Sequence, residues 1–285
     1  IAPVDDIKLK MCDGCDLVKY CSVECQEHHR DKHEEDCKKR KVELRDRELL
    51  TMPEGSCFAE CPICCLPLSI DTSKSTMMPC CSQFICLGCD YANQKREFEG
   101  DLEHRCVFCR EPLPKSEREK VKHLMNRVKK NCPVALWNLG TKRLNEGDYE
   151  RAFEYLNKAA RLGDVFAHNN LSLMYHEGQG VEKDINNQVY HLEEASIGGH
   201  PKARYQLGIE EGSNCRFERA KKHWIIAANL GDDDSLKLLM TLYANGRASK
   251  EEYSDALRAY QAAVDATKSV ERKAAEAYFA QRGGR

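Results

Sequence analysis

Between Cys61 and Arg110 eight cysteines fall in four pairs: Cys61 and Cys64, Cys80 and Cys81, Cys86 and Cys89, Cys106 and Cys109. Three of the pairs are C-x2-C knuckles, a spacing that lets two thiolates on one tight turn reach the same ion. Zinc takes four such ligands in a tetrahedron with Zn–S near ~2.3 Å, so eight ligands mean two zincs. The competing chemistry is a disulfide scaffold or a set of buried free thiols. A charged sequence with no secretory signal favours metal ligands instead. A second cluster runs from Cys12 to Cys37, with ligand types spaced C-x2-C-x5-C-x3-C-x7-H-x3-C.

The first cluster resembles a RING finger in its order of knuckle, long loop, pair, knuckle, spacer and knuckle. The cross-brace of that family implies one zinc on Cys61, Cys64, Cys86 and Cys89, and a second on Cys80, Cys81, Cys106 and Cys109. The common pattern has Cys-x-His in its second pair, whereas Gln83 stands here where that His would fall. Pro79-Cys80-Cys81 resembles the all-cysteine variant, whose adjacent cysteines both ligate. Cys65 and His104 are then left over. The resemblance implies docking of a ubiquitin-conjugating enzyme and catalysis by positioning its thioester, with no covalent step on the RING itself. The residues it points to are Ile63 in the first knuckle, Val107 after the seventh ligand, and Arg110 after the last. Arg110 would be a linchpin whose planar guanidinium bonds two partners at once. Each has a plainer reading, as knuckle cover, inward packing and surface charge. Phe84 and Ile85 are expected to fill the small core between the zincs.

The earlier cluster resembles a MYND zinc finger, down to Tyr20-Cys21-Ser22 and Cys25-Gln26. The resemblance implies one complete zinc site on Cys12, Cys15, His33 and Cys37, and half of another on Cys21 and Cys25. The partners of that half site should lie upstream of Cys12. The chain opens on Ile1 rather than Met, which is read as a fragment. His28 and His29 compete with His33. The spacing favours His33, one helical turn before Cys37 and so on its face. Arg30 stands where the family usually carries Trp. The function carried over is a protein- or peptide-binding module.

These clusters need elements to hold them. Lys38-Lys39-Arg40-Lys41 opens a charged helical segment ending before Pro53, read as a solvated linker or as a nuclear-localisation signal. Ser116, with Glu119 three residues on, is a capping box for a second charged helix. Beyond Pro133, four pairs keep an i, i+4 spacing: Ala135/Leu139, Ala167/Leu171, Ala203/Leu207 and Ser235/Leu239. Gly147, Gly178, Gly212 and Gly246 follow them. Alanine-rich second helices then end near Gly163, Gly198 and Gly231, and a fourth reaches Ala262-Ala263. A period of about 32–36 residues marks stacked two-helix hairpins. The stretch HEGQGVEKD from His176 to Asp184 resembles the inter-helix loop of the Sel-one-like repeat, a relative of the tetratricopeptide repeat. That resemblance implies a solenoid with a concave protein-binding surface. Trp137, Tyr205 and Trp224 are expected in its core. His168, His191 and His223 form no visible constellation.

The fold expected is mostly α, with small zinc-stabilised modules at the N-terminus followed by an α-solenoid of two-helix repeats. The divisions are 1–37 (MYND-type finger), 38–56 (charged helical linker), 57–114 (RING-type finger), 115–132 (linker helix) and 133–282 (repeats). A net charge of −2 implies no strong pull on nucleic acid, and no apolar run approaches a membrane span. The cysteine usage points to an intracellular protein, cytoplasmic or nuclear. No Ser/His/Asp set, phosphate loop or carboxylate pair stands out, which excludes the usual hydrolase and nucleotide-enzyme classes. Two readings stand. The first is a RING-type ubiquitin ligase whose repeats and MYND finger recruit partners. The alternative is an inactive zinc-finger and repeat scaffold.

Overall fold

The computed structural model describes residues 10–12, 15, 18–20 and 22–281. The chain divides into two compact units, residues 1–51 and 52–285. In the first unit, strands β1 (Lys10–Met11) and β2 (Lys19–Tyr20) pair antiparallel, Lys10 opposite Tyr20. Helix α1 (Val23–Leu49) follows, with the Ser22 hydroxyl accepting the N–H of Cys25 as its N-cap. One continuous helix therefore carries both the last finger residues and the charged segment expected as a separate linker. Lys39 and Glu35 pair at 2.8 Å along its exposed face. Such i, i+4 pairs support a helix that has little apolar surface to bury.

The second unit opens with the cysteine-rich module. Strands β3 (Ser75–Met78) and β4 (Gln83–Cys86) form a hairpin, with Thr76 opposite Ile85, and lead into α2 (Leu87–Glu99). Both outer knuckles close in the same way. The Cys61 N–H donates to the Leu66 carbonyl at 2.9 Å, and the Cys106 N–H to that of Glu111 at 2.8 Å. The residue after each knuckle, Cys65 (φ 54°) or Arg110 (φ 62°), turns the chain in a left-handed conformation. Helix α3 (Glu117–Val128) starts at Ser116, whose hydroxyl accepts from Glu119 N–H while the Glu119 carboxylate accepts from Lys115 N–H. It does more than link. Leu124 packs with Ala135, Leu139 and Met77 in one apolar cluster.

The repeats follow as hairpins: α4 (Pro133–Asn145) with α5 (Tyr149–Arg161), α6 (Val165–Glu177) with α7 (Ile185–Ile197), α8 (Pro201–Ser213) with α9 (Phe217–Asn229), and α10 (Asp233–Ala244) with α11 (Lys250–Ala266). The molecule is mostly helical, and these hairpins make a repeat solenoid. The turns between repeats share one design. Gly163, Gly199 and Gly231 have φ of 83°, 80° and 95°. The next N–H reaches back to Ala159, Ala195 or Ala227, the helix-ending pattern that a left-handed residue permits. That next residue then caps the following helix. Asp164 accepts from Ala167 N–H, His200 from Ala203, and Asp232 from Ser235. The small residue of each i, i+4 pair is therefore the third residue of its helix. Gly198, expected to end α7, has an ordinary φ of −68°, and the left-handed position belongs to its neighbour Gly199. Gly212 lies inside the last turn of α8, where Cys215 (φ 60°) takes the left-handed role.

A final helix, α12 (Val270–Gln281), folds back from the solenoid onto α2. Gly88 makes this possible, because a Cβ there would lie 2.9 Å from Arg272 N. Tyr91 meets Tyr278 with ring centroids 4.7 Å apart, and Lys74 pairs with Glu276 at 3.0 Å. Elsewhere the cysteine-rich module sits against the turns between repeats. Cys57 N–H donates to the Gly199 carbonyl at 3.2 Å, and Phe58 stacks edge-on to Phe166 at 5.0 Å. A Cβ on Gly199 would lie 2.4 Å from the Gly55 carbonyl oxygen. Gly199 therefore does two jobs: it turns the chain after α7, and it leaves room for the module. Among the described residues no helix is long and apolar enough to cross a membrane.

Candidate metal centres

Three quartets converge. Ligand atoms of Cys12, Cys15, His33 and Cys37 lie within 4.8 Å of one another, as do those of Cys61, Cys64, Cys86 and Cys89, and those of Cys80, Cys81, Cys106 and Cys109. The first quartet takes a turn before β2 and two residues one helical turn apart on α1. Cys37 Sγ is 3.8 Å from Cys12 Sγ, and Cys15 Sγ is 3.1 Å from His33 Nε2. In the second, Cys61 and Cys64 come from a knuckle, and Cys86 and Cys89 from the start of α2. In the third, the turn after β3 supplies Cys80 and Cys81, and the last knuckle Cys106 and Cys109.

The donor sets fit zinc. A tetrahedron with arms of ~2.3 Å has edges near ~3.8 Å. Cys64 and Cys86 stand 3.8 Å apart, and Cys81 and Cys106 3.7 Å. These spacings are far beyond a sulfur–sulfur bond. The thiolates have hydrogen-bond donors as well: Cys86 N–H to Cys61 Sγ and Cys89 N–H to Cys86 Sγ, both at 3.4 Å. Ions bound here would neutralise clustered thiolates and close turns that own almost no apolar core.

The remaining expected residues are placed as follows. Cys21 lies outside the described residues, and Cys25 is exposed on α1 outside the quartet. His28 bonds the Glu24 carbonyl and His29 the Tyr20 hydroxyl, so neither joins the first quartet. Gln83 is an exposed strand residue, and Cys65 is exposed beside its knuckle. His104 is not idle, since its Nδ1 lies 2.6 Å from the buried Glu97 carboxylate and so ties the last knuckle to α2. Ile63 is 46% exposed, Val107 is half-buried and Arg110 is exposed. The Arg110 carbonyl accepts from Arg105 at 3.0 Å. Ile85 is fully buried between the cysteines, while Phe84 is half-buried and turns toward Trp137. Trp224 is buried, with its indole donating to the Tyr205 carbonyl at 3.3 Å. His168 and His191, distant in sequence, meet with Nδ1 atoms 2.9 Å apart.

Comparison with known families separates the two clusters. The MYND finger model matches residues 5–37. The Sel1 repeat model matches 133–164, 165–200 and 201–232, one hairpin each. The chain carries a MYND finger and Sel1 repeats. No RING family model matches, so the middle module stands on its two convergent quartets alone. The mouse protein "DAP3-binding cell death enhancer 1" is 22% identical over 224 residues, covering 61% of this chain and 44% of its own length. This chain thus spans less than half of that relative. A Sel1 repeat protein from Oxalobacter formigenes superposes with a TM-score of 0.46 at 26% identity, over 53% of this chain and 66% of the other. The antigen c5321 of uropathogenic Escherichia coli, with an SLR fold, gives 0.41 at 19%, over 61% and 38%. MYND fingers and Sel1 repeats are protein-interaction modules, and the Cys and His clusters point to zinc binding.

One functional residue carries no local mark in the sequence. Arg272 of α12 donates to the Pro67 carbonyl at 2.6 Å, Thr267 at 2.7 Å and Leu66 at 3.1 Å, and lies 3.4 Å from Cys64 Sγ. Burial pushes the Cys64 thiol up, but the Leu66 backbone and the Arg272 guanidinium outweigh it and hold the thiol at about 7. A guanidinium at that distance favours the thiolate that a metal needs.

Proposed function

We propose that the chain is a zinc-stabilised protein-interaction scaffold, with three zinc ions on its three quartets. The observation that carries this reading is the return of α12 onto α2, with Arg272 on the first knuckle. A module fixed to the solenoid at both ends is a rigid platform for partners. The name of the mouse relative records binding to another protein, which agrees with such a role. Cysteines left unbridged at this density suit a reducing, intracellular compartment.

The second reading is a ubiquitin ligase. It is favoured by Ile63, which is 46% exposed, and by the exposed Arg110. Self-ubiquitination with a panel of conjugating enzymes separates the two. The scaffold reading expects neither transfer nor conjugating-enzyme binding. Transfer that is lost in Ile63→Ala with Arg110→Gly would establish the ligase instead. Glycine is the cleaner choice at 110 because its left-handed φ of 62° suits glycine, so the knuckle keeps its backbone.

A further inference from the structure

A cavity of about 490 Å³ opens where the cysteine-rich module meets the first two Sel1 repeats. Four aromatic rings line it: Phe58 and Phe84 from the module, and Trp137 and Phe166 from α4 and α6. The rings form a connected wall. Phe84 lies 6.3 Å from Trp137, Trp137 5.0 Å from Phe166, and Phe166 5.0 Å from Phe58. All four are half-buried, so each keeps ring surface open. The charged residues of the lining are Glu60 and Asp164, and neither Lys nor Arg is among them. Asp164 is buried, and Glu60 is exposed.

Aromatic faces carry negative charge density, and an organic cation held against them in a partly dry site is attracted by it. Two carboxylates add to the same sign of field. The volume lies within the range of sites that enclose a ligand group. From this combination we infer that the cavity binds a cationic side chain of a protein partner, an arginine guanidinium laid against the rings beside Glu60. The competing term is the N-terminus of α4, whose first residues Pro133 and Val134 also line the cavity and whose partial positive charge favours an anion. Pro133 has no N–H to offer, and at α6 the Asp164 carboxylate already accepts the Ala167 N–H at 2.8 Å. The field that remains is that of the carboxylates and rings.

The inference rests on the interaction reading only in taking the cation from a protein, and the cavity can be probed without any partner. The chain has two tryptophans. Trp137 lines the cavity, whereas Trp224 is buried beneath Gly208 and serves as the internal control. In the 285-residue chain, indole N–H resonances assigned with Trp137→Phe are followed during titration with N-acetylarginine amide, N-acetylcitrulline amide and N-acetylglutamate amide. The expected result is a saturable shift of Trp137 alone with the arginine compound. The uncharged citrulline isostere should bind about tenfold more weakly, and Glu60→Gln should weaken arginine binding about threefold. Equal binding of the citrulline compound would make the site merely apolar. Preference for the glutamate compound, or no saturation with arginine, would overturn the inference. Either result would leave the scaffold reading to its own test with conjugating enzymes.

Discussion

The Arg272 guanidinium lies 3.4 Å from Cys64 Sγ across 208 residues of chain. One side chain thus joins the last helix to a sulfur of the second quartet. Residues that orient and polarise metal ligands typically change affinity by about 10–100-fold when removed. Arg272→Ala should therefore release one zinc per chain about tenfold faster to a colorimetric chelator, with the other sites unchanged. Arg272→Lys should recover little, because an ammonium cannot reach three carbonyls and a sulfur in one plane. Unchanged release in both variants would reduce Arg272 to a packing residue.

Gly199 holds a left-handed turn and also admits the Gly55 carbonyl. Gly163 has the same conformation, with open space around it. Alanine at either should cost about 1–2 kcal/mol for the backbone. Gly199→Ala should cost about 1–3 kcal/mol more, because the module must shift. The extra loss would appear as a melting temperature lower by about 2–10 °C than that of Gly163→Ala. Equal melting temperatures would mean that the module yields freely.

What was legible in the sequence was local or chemical. Cysteines at knuckle spacing announce a ligand class, and the period of Ala/Leu pairs and glycines announces stacked hairpins. What was not legible depends on tertiary approach. Nothing in Gly198-Gly199 says which glycine turns left-handed, since both are free to do so until helix α7 and the Gly55 carbonyl are placed. Arg272 sits in an ordinary charged helix, and three of its four acceptors come from another part of the fold. The wall of Phe58, Phe84, Trp137 and Phe166 draws on four separate stretches, two of which read as core.

Acid should destabilise the solenoid through two histidines. Burial holds His191 and His200 at about 4, below the ordinary value of 6.5. Unfolded, each takes up a proton below about 6.5, so their stabilising contribution is whole above that pH and is lost toward 4. Asp164 opposes them. Burial raises it to about 6, so its ionised form costs stability above that pH, and the cost fades as pH falls toward 3.8. The net loss between pH 7 and pH 5 is about 2 kcal/mol. It should show as a lower urea midpoint of the helical signal. His200→Asn keeps an N-cap acceptor and should remove about 2 kcal/mol of that pH dependence, an effect metal loss would not mimic. An unaltered pH profile in His200→Asn would show that this ring titrates normally.

Helix should outlast metal. The hairpins α4 to α11 own apolar clusters built on Leu136, Leu156, Leu171 and Leu239. The cysteine-rich turns bury only Leu68, Met78 and Ile85 beside their cysteines. A strong chelator should leave most of the circular dichroism intact while α12 and the knuckles become sensitive to protease. Complete loss of helix on chelation would mean that the repeats cannot stand without the metal modules.

The most direct test is zinc stoichiometry by native mass spectrometry of the reduced 285-residue chain. The account predicts that three zincs depend on the quartets. One should be lost in Cys15→Ser with His33→Ala, another in Cys86→Ser with Cys89→Ser, and a third in Cys106→Ser with Cys109→Ser. A metal-free chain, or masses showing these cysteines joined as disulfides, would contradict it.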